Sequence, residues 1–277
     1  MAESEIQIEP FFLESPRGPL FCIYLSPKNL ALKGSVLYLH PFGEEMHKSR
    51  RMAALQARAL AGQGYAVLQI DMRGCGDSAG DFADASWSVW RDDARLAHAW
   101  LHAKTAQAVT LWGLRTGALL AADLAQTLNN VQALLLWQPV IDGSLFLNQF
   151  LRIKLASEML SDGQSRSGTK DLLAQLESGQ GVEVGGNMLS PAMARELGAL
   201  KLAAMAPACP VSWLEIGAVN NEQLSPAGQR VADAWRAAGA HVQTQTVIGE
   251  PFWATQEITE CLPLIEASLA SREARRS

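Results

Sequence analysis

The chain is 277 residues long, and 48% of its residues are hydrophobic and 18% charged, which is typical of a globular protein with a large core. Its formal net charge of -5 provides no basic field for nucleic acid, so that class of partner is excluded. No apolar run approaches the roughly 20 residues of a membrane-spanning helix, and residues 1–5 are acidic and lack the apolar core of a secretory signal.

The first predicted element is an antiparallel hairpin at a sheet edge, in which the apolar segments 11–13 and 20–25 flank the turn sequence Ser15-Pro16-Arg17-Gly18-Pro19. Strands and helices then alternate with short connections, which predicts a mostly parallel sheet flanked by helices. The strands predicted from continuous apolar runs are 35–39, 66–70, 108–112 and 133–137. The helices predicted between them are 47–62, 87–101 and 117–128.

The alternation stops after Pro139, and residues 141–205 carry mainly helical patterns interrupted by a polar Gly/Ser stretch. We interpret this segment as a lid inserted into a sheet domain formed by residues 1–140 and 206–277. The alternation resumes with a strand at 211–216, a helix, and a strand at 242–248. A closing helix is predicted from four apolar residues at helical spacing, which are Ile258, Leu262, Ile265 and Leu269.

The four cysteines are scattered and form no C-x-x-C pair. They therefore indicate neither a disulfide framework nor a zinc site, and they fit a reducing compartment. We expect a cytoplasmic protein that has no transmembrane segment, no metal and no cofactor.

Three loops at the carboxyl ends of predicted strands carry recognisable motifs. They are His40-Pro41-Phe42-Gly43, the segment from Asp71 to Ser78 with the sequence DMRGCGDS, and Gly113-Leu114-Arg115-Thr116-Gly117. In this order and context they resemble the α/β-hydrolase superfamily, whose G-x-S-x-G nucleophile elbow corresponds to the third loop. The resemblance implies the α/β-hydrolase fold, with backbone N–H groups near Phe42 and Thr116 forming an oxyanion hole.

A narrower resemblance is carried by the segment from His40 to Arg51, by Gly113 to Gly117 and by Pro251-Phe252-Trp253. These segments are similar to exosortase A system-associated hydrolase 2. That resemblance implies a bacterial accessory role beside the systems that sort PEP-CTERM proteins and build exopolysaccharide, with a protein partner that the sequence does not name.

The residues of a Ser-His-Asp triad are missing at all three of its expected positions. Arg115 stands at the nucleophile position, and a guanidinium stays protonated and offers no lone pair for attack. The loop after the last strand has Glu250 or Pro251 where a histidine is expected, and Asn220 and Asn221 stand where the acid is expected. Thr116, His40 and Glu222 are the remaining substitutes for these roles, and the sequence favours none of them.

The retained loops predict a polar pocket centred on Arg115. Its predicted lining is His40, Phe42, Glu44, Glu45, Arg115, Thr116 and Pro251. One hypothesis is that Arg115 and the elbow amides bind a small anionic or acyl ligand at the start of the following helix. The other is a structural ion pair of Arg115 with Glu44 or Glu45.

Two classes of function remain open at this point. The first is a non-catalytic or non-classical member of the superfamily that uses the old pocket for binding. The alternative is an active hydrolase of ester, thioester or similar acyl substrates that uses an unorthodox nucleophile or base.

Overall fold

A computed structural model of the chain describes residues 5–162, 168–218 and 224–273. The strands in these ranges, numbered in chain order, are β1 (Ile6–Leu13), β2 (Leu20–Pro27), β3 (Gly34–Leu39), β4 (Tyr65–Ile70), β5 (Val109–Leu114), β6 (Val131–Trp137), β7 (Val182–Val184), β8 (Asn187–Leu189), β9 (Val211–Gly217) and β10 (Val242–Ile248). The main sheet has the strand order β1-β2-β4-β3-β5-β6-β9-β10, and β7 pairs only with β8. The predicted α/β class is therefore confirmed.

The predicted hairpin is present, because β1 pairs antiparallel with β2, with Phe12 opposite Phe21. Strand β2 also runs antiparallel to β4. From β4 to β10 the neighbouring strands are parallel. The carboxyl ends of these parallel strands therefore meet at one edge of the sheet, where α/β folds of this kind hold their ligands.

The helices of the described ranges are α1 (Glu44–Gly62), α2 (Trp87–Thr105), α3 (Thr116–Ala125), α4 (Gly143–Asp162), α5 (Thr169–Glu177), α6 (Pro191–Gly198), α7 (Pro226–Ala237) and α8 (Leu262–Glu273). Helices α1 and α8 cover one face of the sheet, and α2, α3 and α7 cover the other. Residues of β3 alternate accordingly: Val36 and Tyr38 pack toward α1, and Leu37 and Leu39 pack toward α2. None of the described helices is long and apolar enough to cross a membrane.

The segment between β6 and β9 contains α4, α5, the β7–β8 hairpin and α6, and we call it the β6–β9 insertion. Its helices pack on one another and on the sheet domain, with α6 contacting both α4 and α2. Among the described residues the insertion contains helices and one short hairpin, and the assignment of 141–205 as a lid stays a prediction.

The closing helix differs from its prediction at its start. It begins at Leu262, and Ile258 lies outside it with 66% of its surface exposed. Pro263 explains the boundary, because proline fits the first turn of a helix and disrupts its interior. The apolar spacing that included Ile258 was therefore wrong by about one turn.

Candidate functional site

The loop between β5 and α3 makes the sharp turn of a nucleophile elbow. Arg115 stands between the two elements with φ 55° and ψ -115°, a region that non-glycine residues rarely adopt. A Cβ atom added to Gly113 would lie 2.2 Å from the carbonyl oxygen of Gly117, and one added to Gly117 would lie 2.0 Å from that of Leu39. The two glycines are therefore required by close backbone contacts, whatever side chain stands between them.

Backbone hydrogen bonds hold Arg115 in this conformation from both sides. Its N–H donates to the carbonyl of Trp137 over 2.9 Å, and its carbonyl accepts from Val140 over 3.2 Å. Both partners belong to the end of β6 and the residues just after it. The adjacent strand thus determines the direction in which residue 115 projects.

The side chain of Arg115 forms an ion pair with Glu45. Its Nε donates to the two carboxylate oxygens over 3.2 and 3.3 Å, and its Nη2 lies 3.2 Å from Oε1. The guanidinium carbon also lies 5.6 Å from the ring centroid of Trp253, within the range of a cation–π contact. The two charged side chains are only 18% and 21% exposed, so water screens them partly.

Glu45 occupies the first turn of α1, where the helix dipole favours a negative charge. Burial raises the pKa of its carboxyl group, while the nearby charge and hydrogen bonds of Arg115 lower it. Glu44 is exposed and contributes no partner to Arg115 among the described residues. Of the two glutamates that the sequence left open, Glu45 makes the contact.

His40 is buried and both of its ring nitrogens are occupied. Nδ1 lies 2.7 Å from the carbonyl oxygen of Pro41, and Nε2 accepts the backbone N–H of Met72 over 3.1 Å. Nδ1 therefore carries the proton and donates to Pro41. Burial lowers the pKa of the imidazole, which favours this neutral form. This arrangement makes His40 a brace between two loops rather than a base directed at the elbow.

Phe42 fixes the loop after β3 within a cluster of aromatic rings. It is 1% exposed and its ring contacts Phe82, Trp90, Phe146 and Phe150 with centroid distances of 5.0 to 5.7 Å. Phe146 and Phe150 belong to α4, so the β6–β9 insertion packs directly on this loop. Phe146 and Phe150 were not predicted as site residues, although their spacing of four places them on one helix face.

Thr116 is the first residue of α3 and is 1% exposed. Its hydroxyl oxygen is buried and has no hydrogen-bond partner among the described residues. The N–H groups of Ala118 and Leu119 donate to the carbonyl of Arg115 over 3.1 and 3.3 Å. At the start of α3, the Thr116 hydroxyl and the N–H groups of Thr116 and Gly117 are left without a partner inside the helix.

The second motif forms a self-contained turn beside the site. Asp71 accepts the backbone N–H of Asp77 over 3.2 Å and pairs with Arg50 over 2.9 Å. The Ser78 hydroxyl donates to the Asp71 carbonyl over 2.5 Å. A Cβ on Gly76 would lie 1.9 Å from the Asp71 carboxylate, so this motif needs its glycine. Its polar groups bond within the turn and to neighbouring elements, since Asp71 pairs with Arg50 of α1 and the N–H of Met72 donates to His40.

The family described as serine aminopeptidase, S33 (Hydrolase_4), matches residues 31–177, which is more than half of the chain. The chain belongs to this α/β-hydrolase family. No curated protein matches it.

Solved structures of this fold superpose along almost the whole chain. Est1E from Butyrivibrio proteoclasticus with bound ferulic acid has a TM-score of 0.71 and 16% identity, over 96% of this chain and 100% of that chain. A thermostable carboxyl esterase from Bacillus coagulans in complex with glycerol has a TM-score of 0.66 and 14% identity, over 96% and 98%. The thioesterase domain from the curacin biosynthetic pathway has a TM-score of 0.59 and 14% identity, over 98% and 100%. At these identities the likeness establishes the shared fold.

In this α/β-hydrolase chain, the loop after β10 brings an aromatic residue to the elbow. Glu250 and Pro251 are exposed, whereas Phe252 and Trp253 are buried, and Trp253 contacts Arg115. His241 precedes β10 and so lies at the opposite end of that strand. The contact of Trp253 with the guanidinium was not predicted from the sequence, where this residue was part of a family resemblance only.

The predicted acid position, with Asn220, Asn221 and the substitute Glu222, lies outside the described residues. Cys22 and Cys75 are unsuited to nucleophilic chemistry near neutral pH. Burial raises the pKa of Cys22 to about 12 and raises that of Cys75 further, so neither forms a thiolate near neutral pH. Among the described residues no group of three His, Cys, Asp or Glu side chains is placed to hold a metal ion.

Proposed function

We propose that this α/β-hydrolase-fold protein binds a small acyl or anionic ligand at the elbow without catalysing its hydrolysis. The observation that carries the proposal is Arg115 itself, a permanent cation held at the nucleophile position of an intact elbow. The backbone geometry that normally presents a serine oxygen here presents a planar hydrogen-bond donor. Losing a serine nucleophile costs about a million-fold in turnover in the best-studied triad, so the change is chemically decisive.

The hydrogen bonds of Arg115 leave room for a second acceptor. Glu45 uses Nε and Nη2, and Nη1 has no acceptor among the described residues. A carboxylate or acyl oxygen can approach that edge of the guanidinium while the helix dipole of α3 adds a favourable field. The buried, unpartnered hydroxyl of Thr116 stands beside the same helix start.

Glu45 sets the strength of this binding. While Arg115 is paired with Glu45 the site carries little net charge, so a negatively charged ligand must compete with the Glu45 carboxylate. Burial raises the pKa of Glu45, and its protonation would leave the charge of Arg115 for the ligand. We therefore expect anion binding to strengthen as pH falls from neutral.

Aromatic surroundings favour an acyl group that has an unsaturated or aromatic part. Trp253 flanks the guanidinium, and the ring cluster around Phe42 connects the loop to α4. Ferulic acid, which is bound in the similar Est1E structure, combines a carboxyl group with an aromatic ring. Such aromatic acids are the first probes to test. The β6–β9 insertion would act as the lid over this ligand.

The biological setting that we propose is accessory to a bacterial exosortase and PEP-CTERM system, with a cytoplasmic location. It rests on the similarity of the segment from His40 to Arg51 and of Pro251-Phe252-Trp253 to the family named above. Deletion of the gene should then impair surface display of PEP-CTERM proteins, and Arg115→Ala should reproduce that defect. Normal display in the deletion strain would remove this setting without affecting the binding proposal.

Two measurements test binding and catalysis separately. Isothermal titration with ferulate should show binding to the native protein, a loss of at least about tenfold in Arg115→Ala, and a gain in Glu45→Gln. Arg91→Ala is the matched control, because Arg91 pairs with Asp123 away from the elbow and its loss should leave ferulate affinity unchanged. Equal ferulate affinity in the native protein and Arg115→Ala would refute the elbow as the binding site.

Catalysis is tested with a fluorophosphonate probe and a panel of p-nitrophenyl acyl esters. We expect no covalent labelling and no turnover above the uncatalysed rate. Labelling that is lost in Thr116→Val would instead establish the alternative, an active hydrolase with an unorthodox nucleophile. Arg115→Ser should remain inactive, because the loop after β10 still supplies Pro251 in place of a base.

A further inference from the structure

A cavity of about 610 Å³ lies at the amino ends of the parallel strands, opposite the edge of the sheet that carries the elbow. Its walls come from the first residues of several parallel strands, from the residues that precede them, and from the end of α8. Volumes of about 300–1,000 Å³ are typical of sites for small ligands. Strand β5 is 6 residues long, so about 20 Å separate this cavity from the elbow.

The cavity exists because the side chains on one face of the sheet become small toward this end. On the face that α1 and α8 cover, β5 carries Trp112 and β6 carries Leu135, and both are fully buried. Since alternate residues of a strand share a face, Thr110 and Ala133 come next on the same face. These two residues are neighbours in the ladder of β5 and β6. Their small side chains leave space between the sheet and the last turn of α8.

Three basic residues from three separate elements line this cavity. Lys33 precedes β3, His241 precedes β10, and Arg272 lies in the last turn of α8. None of the described residues in its walls is an aspartate or a glutamate, although the whole chain has a formal net charge of -5. The dipole of α8 favours a cation at the end of that helix, but it does not explain Lys33 and His241. The lining therefore favours a negatively charged ligand.

Arg272 is held at the wall by an aromatic ring. Its guanidinium carbon lies 4.2 Å from the ring centroid of Tyr65, which is a close cation–π contact. Arg272 is 9% exposed and Tyr65 is 4% exposed. A guanidinium stays charged, and it is costly to remove a charge from water. An anion in the cavity would lower that cost and would meet a planar donor whose position the ring already fixes.

Lys33 is positioned by its own backbone. Its N–H donates to the carbonyl of Gly64 over 2.8 Å, which ties the approach to β3 to the approach to β4. A Cβ added to Gly64 would lie 3.3 Å from Cγ and Cδ of Lys33, so the stem of the lysine runs along this glycine. The ammonium group is thus carried on an anchored residue at the rim of the cavity.

Three glutamines add neutral hydrogen-bonding groups to the same lining. They are Gln107, Gln132 and Gln243, and their side-chain amides make no hydrogen bond to other described residues. Each amide offers two donor hydrogens and an acceptor oxygen, which is the complement of a hydroxyl group. A ligand with several hydroxyl groups would use both kinds of atom.

We propose that this cavity is a second binding site, independent of the elbow, for a phosphate ester of a small polyhydroxy compound such as a sugar phosphate. The phosphate lies between Arg272 and Lys33, and the hydroxyl groups lie against the glutamines. A phosphate monoester carries a charge of about -1.5 to -2 and three terminal oxygens, so it can bind both cations at once. A carboxylate has a single charge and two oxygens, and it would use the basic lining less completely.

Charge-removing variants test the site, with glucose 6-phosphate as the probe in isothermal titration. The native protein should bind it with a Kd of about 1 mM or lower. Lys33→Gln should weaken binding at least about fivefold and Arg272→Gln at least about tenfold, and Arg272→Lys should retain more affinity because its charge remains. Lys170→Gln removes a positive charge from α5, away from the cavity, and should bind as the native protein does. Lys33 is exposed, so its variant decides the test even where the Arg272 variants unfold.

The parts of the probe are compared in the same titration. Glucose should show no measurable binding, because it lacks the charge that the basic residues recognise. Inorganic phosphate should bind at least about fivefold more weakly than glucose 6-phosphate, because it makes no contact with the amides. Equal affinity for inorganic phosphate would overturn the assignment of a phosphate ester.

Histidine modification locates the ligand without any variant. His241 at the cavity and His47 in the first turn of α1 are both exposed. Bound glucose 6-phosphate should slow the reaction of His241 with diethylpyrocarbonate and leave that of His47 unchanged, as measured by mass spectrometry. Three results overturn the proposal: no binding at about 10 mM, native affinity in Lys33→Gln, or protection of His47 in place of His241, which would put the anion at the elbow.

Discussion

Replacing Arg115 with alanine measures how strongly its ion pair with Glu45 holds the site together. The two charged groups approach to 3.2 Å, and their side chains are about one-fifth exposed. Exposed ion pairs contribute about 0–1 kcal/mol, whereas removing one partner of a fully buried pair costs about 3–5 kcal/mol. We expect a coupling free energy of about 2 kcal/mol from a double-mutant cycle that combines Arg115→Ala with Glu45→Gln.

The pH dependence of this cycle has a definite sign. Burial raises the pKa of Glu45 above its ordinary value of 4.5, and Arg115 opposes that rise. In Arg115→Ala the opposing effect is lost, so the folded state binds the proton up to a higher pH than the unfolded chain does. Linkage then makes this variant most stable below the ordinary glutamate pKa and progressively less stable as pH rises through the raised pKa.

The assay is urea denaturation monitored by tryptophan fluorescence and repeated at several pH values between about pH 5 and about pH 8. The penalty in Arg115→Ala should grow toward the upper end of this range. Arg115→Ala combined with Glu45→Gln should not show this growth, because glutamine carries no titrating proton. A coupling free energy below about 0.5 kcal/mol, or a penalty that is independent of pH, would refute the reasoning.

Three further outcomes are expected. His40→Phe should lower the free energy of unfolding by about 2–4 kcal/mol in urea denaturation, because two buried hydrogen bonds are lost; a neutral effect would contradict the bracing role. Gly117→Ala should cost about 3 kcal/mol or more in the same assay, since its Cβ would lie 2.0 Å from the Leu39 carbonyl; native-like stability would mean that the elbow can shift. Iodoacetamide at about pH 8 should label Cys209 well before Cys22 in the folded protein, because burial raises the pKa of Cys22 to about 12. Equal labelling rates of the two cysteines by mass spectrometry would show that Cys22 is not buried.

The sheet could be predicted because its strands are buried on both faces. The apolar runs at 35–39 and 66–70 differ by one residue from β3 and β4 as observed. The short length of these runs favours a strand over a helix there, and their continuous apolar character indicates burial on both faces. The strand β8 is three residues long and begins with Asn187, so neither its length nor its composition distinguishes it from a loop.

The sequence does not determine whether Glu44 or Glu45 is the ion-pair partner of Arg115. Glu44 and Glu45 are adjacent, and both fall in the first turn of α1. Consecutive helical residues point about 100° apart, so only one of them faces the elbow, and the start of the helix decides which. That start follows Gly43, whose φ is 53° and where an added Cβ would lie 3.3 Å from the ring of Phe150 on α4, a distant part of the chain.

The contact of Trp253 with Arg115 could not be predicted from the sequence for a related reason. Its loop follows β10, three strands away from β5 in the sheet order, and only the assembled sheet brings it beside the guanidinium. An aromatic residue two positions after Pro251 has many uses in a core. The loop's place in the fold was predictable, whereas the direction of this one ring was not.

At the elbow, the fold depends on Gly113 and Gly117, whereas catalysis in this fold depends on the side chain of residue 115. Gly113 and Gly117 cannot take a Cβ because backbone atoms lie within 2.2 Å of it, so the fold itself demands them. Nothing in those contacts involves the side chain of residue 115, which projects away toward Glu45 and Trp253. The strained conformation costs about 1–3 kcal/mol for an arginine as it does for a serine, and the same strand β6 hydrogen bonds hold it. The backbone contacts that require the two glycines therefore leave the side chain at position 115 unconstrained, and our proposal of ligand binding rests on the arginine found there.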